Sequence, residues 1–122
     1  MSKFLSELNV ECIEDSANPK WRLLSPLIYV SNLADQMIVV PIGFITDFAS
    51  TPRVPFFFAI AGNIATKAST IHDYLYTSQL FDREKSDNIF LEACDTSGVA
   101  QWRSRMMWLA IRMFGSNFWK EK

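Results

Sequence analysis

The chain has 122 residues, 49% of them hydrophobic and 14% aromatic, and a formal net charge of −1. That length gives one domain with a single core, and that composition excludes a disordered chain. The near-zero charge supplies no positive field for neutralising phosphates, so no nucleic-acid partner is expected.

Met1-Ser2-Lys3-Phe4-Leu5-Ser6-Glu7 lacks a long apolar run and reads as mature sequence. Val10 to Glu14 is a short strand candidate, followed by turn chemistry in Asp15-Ser16-Ala17-Asn18-Pro19. Residues 21–30 are rich in strand formers, with Pro26 marking an edge or a bulge. A polar connection, Ser31 to Gln36, leads to a second strand over Met37-Ile38-Val39-Val40-Pro41-Ile42. A small antiparallel sheet is therefore expected.

Residues 43–53, Gly43 to Arg53, are dense in small and polar side chains and have proline on both sides. A loop of this kind, placed by a strand, is a frequent carrier of function. Asp47 or Ser50 can cap a short helix that starts at Pro52 and runs through Phe56-Phe57-Phe58. Val54 to Ala61, the most apolar stretch, is about half the ~18 residues of a membrane span, so no transmembrane segment is expected.

The second half reads as three helices. Ile64, Ala65, Ala68, Ile71 and Leu75 form a helical stripe over residues 63–77. Asp82 caps a second helix with Ile89, Phe90, Ala93 and Cys94 on its apolar face, and Gly98 stops it. Gln101 to Phe114 forms a third, with Trp102, Met106, Leu109 and Met113 at core spacing, Arg103, Arg105 and Arg112 outside, and Gly115 at its end. Trp102, Trp108 and Trp119 are read as core. Cys12 and Cys94 make no disulfide framework and are expected to be reduced, buried thiols in a chain folded in a reducing cytoplasm. The expected fold over 1–122 is α+β: a small antiparallel sheet packed on a three-helix unit, with 1–53 mostly β and loop and 54–122 mostly helical.

His72 is the chain's one histidine and the only group whose ordinary pKa lies near neutrality. It lies eight residues before Leu80, and Asp87 lies seven after it. Antiparallel helices joined by a short turn there place the two at one level, facing each other. Such a carboxylate fixes the imidazole tautomer and leaves the other nitrogen as a base. Tyr76, at i+4, shares the face of His72 and reaches toward Asp87. Asp73 is rotated by about 100° and aims elsewhere, toward a cation held against the 43–52 loop. The same His72–Asp87 pair serves equally as a buried staple between helices.

The pattern His72-Asp73-x-x-Tyr76, with Asp87-x-x-Phe90 on the next helix, resembles the catalytic helix pair of secreted phospholipase A(2), most closely its bacterial and parvovirus capsid versions. The resemblance implies a general base in His72, a calcium ligand in Asp73 and a supporting carboxylate in Asp87 with Tyr76. The family's glycine-rich calcium loop and its disulfides have no counterpart here, so the Gly43–Pro52 loop would have to replace the calcium loop, with Asp47 available as an extra ligand. A second resemblance spans nearly the whole chain. Gly43-Phe44-Ile45-Thr46-Asp47-Phe48-Ala49-Ser50-Thr51-Pro52-Arg53, then His72-Asp73-Tyr74-Leu75-Tyr76, Arg83 to Phe90, and Arg112-Met113-Phe114-Gly115 with Trp119 are similar to a family of small phage and prophage proteins labelled a domain of unknown function. Together they imply a phage-encoded His/Asp hydrolase, cation-assisted by Ca²⁺, acting on a lipid or envelope ester. The alternative is a non-enzymatic virion, tail or lysis accessory protein that contacts phage structural proteins through Phe56-Phe57-Phe58 and the C-terminal tryptophans.

Overall fold

The computed structural model describes residues 2–14, 20–46, 66–117 and 119. Among the described residues six strands come first: β1 (Lys3–Phe4), β2 (Val10–Glu14), β3 (Lys20–Leu23), β4 (Leu27–Ser31), β5 (Gln36–Val40) and β6 (Ile45–Thr46). Three described helices follow: α1 (Thr66–Ser78), α2 (Arg83–Thr96) and α3 (Gln101–Phe114), with a short 3₁₀ turn over Gly115–Asn117. The architecture is α+β.

The strands form two three-stranded antiparallel sheets, ordered β1-β4-β5 and β2-β3-β6, where the sequence suggested one. The dividing point is Ser25-Pro26. Proline has no N–H to give a ladder, so the run over 21–30 breaks into β3 and β4, and each half joins a different sheet. β4 and β5 close through a turn in which Asp35 takes a left-handed conformation (φ 54°), one that a short polar side chain tolerates. Ile45 and Thr46, expected in the loop, instead pair with Arg22 and Trp21 of β3. Asp47, Ser50 and Phe56-Phe57-Phe58 lie outside the described residues.

The first sheet packs Leu27, Tyr29, Ile38 and Val40 against Ile71 and Leu75 of α1 and Ile89 and Phe90 of α2. Glu92 of α2 ties this sheet down further. One of its oxygens accepts from the Tyr29 and Ser31 hydroxyls, both at 2.7 Å, and the other from the Leu33 N–H at 2.9 Å. The start of α2 follows from sequence: the Asp82 carboxylate accepts the Lys85 N–H at 2.8 Å. Gly98 follows the helix with φ +87°, a region that favours glycine.

α3 departs from expectation. Its buried side is Ser104, Met107, Ala110 and Ile111. Trp102, Met106, Leu109 and Met113, the stripe read as core, are 44–65% exposed. The outer stripe has the more regular apolar spacing, while the inward one contains Ser104, so periodicity points to the wrong side. The inward side is the one that brings Ser104 Oγ to Asp95 at 2.7 Å and the Arg112 guanidinium to Asp87. Trp108 is half-buried and donates to Asn88 Oδ1 at 2.9 Å. Cys94 is buried, and burial together with the nearby Asp95 charge pushes its thiol pKa up, whereas Cys12 is exposed, against expectation. This rotation of α3 predicts that Met107→Ala costs about 2–5 kcal/mol while Leu109→Gln stays within about 0.5 kcal/mol. Chemical denaturation checks it: a large loss at Leu109 with a small one at Met107 would show that the helix is turned the other way.

Candidate functional site

α1 and α2 form an antiparallel hairpin about the turn at residues 79–82, where Gln79 takes a left-handed conformation (φ 52°). The hairpin brings His72, Tyr76 and Asp87 together. Asp87 is fully buried and His72 is 2% exposed. His72 Nε2 lies 2.8 Å from Asp87 Oδ1, and the Tyr76 hydroxyl donates to the same oxygen at 2.7 Å. The imidazole stacks at a tilt on Tyr76, with ring centroids 4.3 Å apart, and meets Phe90 edge-on at 5.2 Å. Trp119 packs edge-on against the other ring of the pair, Tyr76, at 5.1 Å.

Two arginines complete the cluster. Arg112 of α3 donates from Nη1 to Asp87 Oδ2 at 2.7 Å. Arg83, one turn before Asp87, places Nε 3.9 Å from the same oxygen and 3.2 Å from the Tyr76 hydroxyl. Its Nη2 donates to the Ile111 and Arg112 carbonyls at 3.0 and 2.8 Å, satisfying the C-terminal end of α3. The sequence placed Arg112 on the solvent side and left Arg83 to Glu84, Asp87 or solvent. The i, i+4 spacing from Arg83 to Asp87 was a signal for one of them. Nothing local to α3 announced the other, because its contact depends on how the helix is rotated.

Burial alone would push the Asp87 carboxyl up. Hydrogen bonds from His72, Tyr76 and Arg112 outweigh burial and hold it below the usual carboxylate range. An ionised carboxylate only accepts. His72 Nε2 therefore carries the proton of this contact, and in the neutral ring the lone pair is on Nδ1. Burial first, then the hydrogen bond and charge of Asp87, push the Tyr76 hydroxyl pKa up, so Tyr76 remains a neutral donor.

Gly115 lies against this cluster. Its φ is −63°, so backbone freedom does not explain a glycine here; space does. A Cβ would stand 2.7 Å from the Tyr76 hydroxyl and 3.3 Å from Arg83 Nη2. The phenol is held by its bond to Asp87 and cannot swing aside without breaking it. Gly115→Ala is expected to cost about 1–3 kcal/mol. Unchanged thermal unfolding in that variant would show that the contact yields freely.

Asp73, the expected cation ligand, is half-buried on α1. Among the described residues no three His, Cys, Asp or Glu side chains gather into a group able to hold a metal ion. Asp47, the other expected ligand, lies outside them. No helix among the described residues is long and apolar enough to cross a membrane.

Comparison with curated proteins and with solved structures finds no match. A family match covers residues 21–111, from β3 through His72, Asp87 and most of α3, and on that extent the chain belongs to the DUF1353 family, described as a protein of unknown function.

Proposed function

We propose that this chain is a phage-encoded hydrolase that cleaves an ester of a lipid or envelope molecule, with His72 as general base. The observation that supports it is the 2.8 Å contact between His72 Nε2 and the ionised Asp87. That contact fixes the ring's orientation, and the imidazole so held takes a proton from water as the general base. The water oxygen then bonds to the ester carbonyl carbon. As the tetrahedral intermediate collapses, the C–O bond to the alcohol breaks and the imidazolium returns the proton to the departing oxygen. Asp87 orients the ring, and Tyr76 and Arg112 hold Asp87. None of these steps passes through a cation. Asp73 is the described residue that would bring one, with Asp47, and Ca²⁺ bound there would stabilise the oxyanion. A ring 2% exposed must be uncovered before an ester reaches it, so the reading also includes movement of the segments around His72. The phage origin rests on the order of the Gly43–Arg53 and His72–Tyr76 motifs, and it implies synthesis in the host cytoplasm and incorporation in the virion.

A second reading has its own support. Asp87 receives cations from both α2 and α3, in addition to His72 and Tyr76 of α1, which is what a staple joining three helices requires. On that reading the chain is a non-enzymatic virion, tail or lysis accessory protein acting through protein contacts. The test is release of fatty acid from phospholipid in mixed micelles, with Ca²⁺ and with chelator, by the wild type, His72→Ala and Asp87→Asn. Hydrolysis by the wild type alone supports the enzyme; background rates in every sample overturn it. Loss of the wild-type rate on chelation assigns a cation to it.

A further inference from the structure

We propose that two copies of this chain pair through the outer edge of β5, making one six-stranded antiparallel sheet. The argument starts from which backbone groups point outward. In β4, the Ile28 carbonyl accepts the Leu5 N–H at 2.9 Å and the Ile28 N–H donates to Ser6 Oγ at 2.9 Å. Ile28 therefore faces β1, and by alternation Leu27, Tyr29 and Ser31 face β5. Their partners are Val40, Ile38 and Gln36. The N–H and C=O groups of Met37 and Val39 are left pointing away from β4, and among the described residues no strand pairs with β5 on that side.

The other outer strands carry devices that discourage pairing, and β5 carries none. β1 and β6 are two residues long, and β1 contains Lys3. β2 carries Glu11 and has a bulge between Cys12 and Glu14. β5 is five uncharged residues, Gln36-Met37-Ile38-Val39-Val40, in unbroken register with β4.

A second copy fits this edge better than an unrelated strand does, because the outward groups are symmetric about Ile38. A two-fold axis there sets Met37 opposite Val39 of the second copy, and Val39 opposite its Met37, giving four backbone hydrogen bonds. Gln36 then faces Val40, and Asp35 faces Pro41, so no like charges meet. Met37 and Val39 are 51% and 42% exposed on the outer face, beside Val30 and Ile28 across β4. Pairing continues that apolar row from one copy into the next. The exposed stripe of α3 is the competing self-contact. There the flanks are Arg103 and Arg105, and the helix has no acidic residue to receive them, so two copies would set like charges together.

Sedimentation equilibrium of the full chain over a concentration series tests the pairing. The expected result is a monomer–dimer equilibrium, abolished in Met37→Lys/Val39→Lys, whose altered side chains are on the exposed face and would gather four ammonium groups across the axis. Hydrogen exchange on the wild type supplies a second readout that needs no variant: the Met37 and Val39 amides slow as concentration rises. A monomer at every concentration, a dimer that survives the double substitution, or a dimer whose Met37 and Val39 amides exchange freely overturns the proposal. Loss of the dimer in Leu109→Lys with those amides unprotected would assign the contact to α3.

Discussion

Asp87→Asn is expected to lower the free energy of unfolding by about 3–5 kcal/mol, the range for removing one partner of a buried ionic cluster. Asparagine keeps the volume but offers one oxygen and one NH₂ group. If the oxygen turns to His72 and Tyr76, the NH₂ meets the Arg112 guanidinium, donor against donor. If it turns the other way, the NH₂ meets the Tyr76 hydroxyl and His72 Nε2, which can accept it only if the phenol turns its proton away and the ring changes tautomer. Each orientation loses a contact or forces the set to rearrange, and both arginines lose their counter-charge. A loss below about 1 kcal/mol, the worth of an exposed pair, would show that Asp87 is not holding the three helices. Acid supplies an independent check. The folded Asp87 pKa is lowered relative to an unfolded value near ~3.9. Its contribution to stability is therefore present above that unfolded value and is lost as pH falls through the folded one. Wild-type stability should drop below about pH 4, and the Asp87→Asn variant should lack that part of the drop.

The parts of this site that were legible from sequence are those fixed by local geometry. Two helices about a short turn bring residues equidistant from it to one level, which is why His72 and Asp87 meet. One helical turn places Tyr76 beside His72, and Asp82 caps α2 because it directly precedes the helix. What was not legible depends on how separate elements dock. Arg112 reaches Asp87 because α3 turns Met107 and Ile111 inward, yet the Trp102–Met113 stripe has the more regular apolar spacing. Pro26 was read as an edge or bulge, and whether a broken run stays in one sheet or enters two is decided by which strands lie beside each half. Glu92 gave no sequence signal at all, because its three partners lie in β4 and the turn after it, 59 to 63 residues earlier in the chain.

His72→Ala is expected to reduce ester hydrolysis by about 10²–10⁴-fold, the usual contribution of a positioned general base. The variant must be compared at equal folded fraction, because His72 is also in the core and its loss leaves one oxygen of Asp87 with fewer donors. That second effect should appear as about 1–3 kcal/mol in denaturation. The two readings of the chain divide here. A staple predicts the stability loss and a hydrolytic rate equal to background in every variant. A base predicts that the rate falls even where the folded fraction does not. Tyr76→Phe sharpens the division, since it removes one donor to Asp87 and keeps the ring that packs on His72 and Trp119. His72 Nε2 and Arg112 still hold the carboxylate in that variant, so the tautomer and the rate should survive far better than in His72→Ala. Equal rate losses from Tyr76→Phe and His72→Ala would mean that the cluster acts through its integrity and that the imidazole does not itself carry the proton.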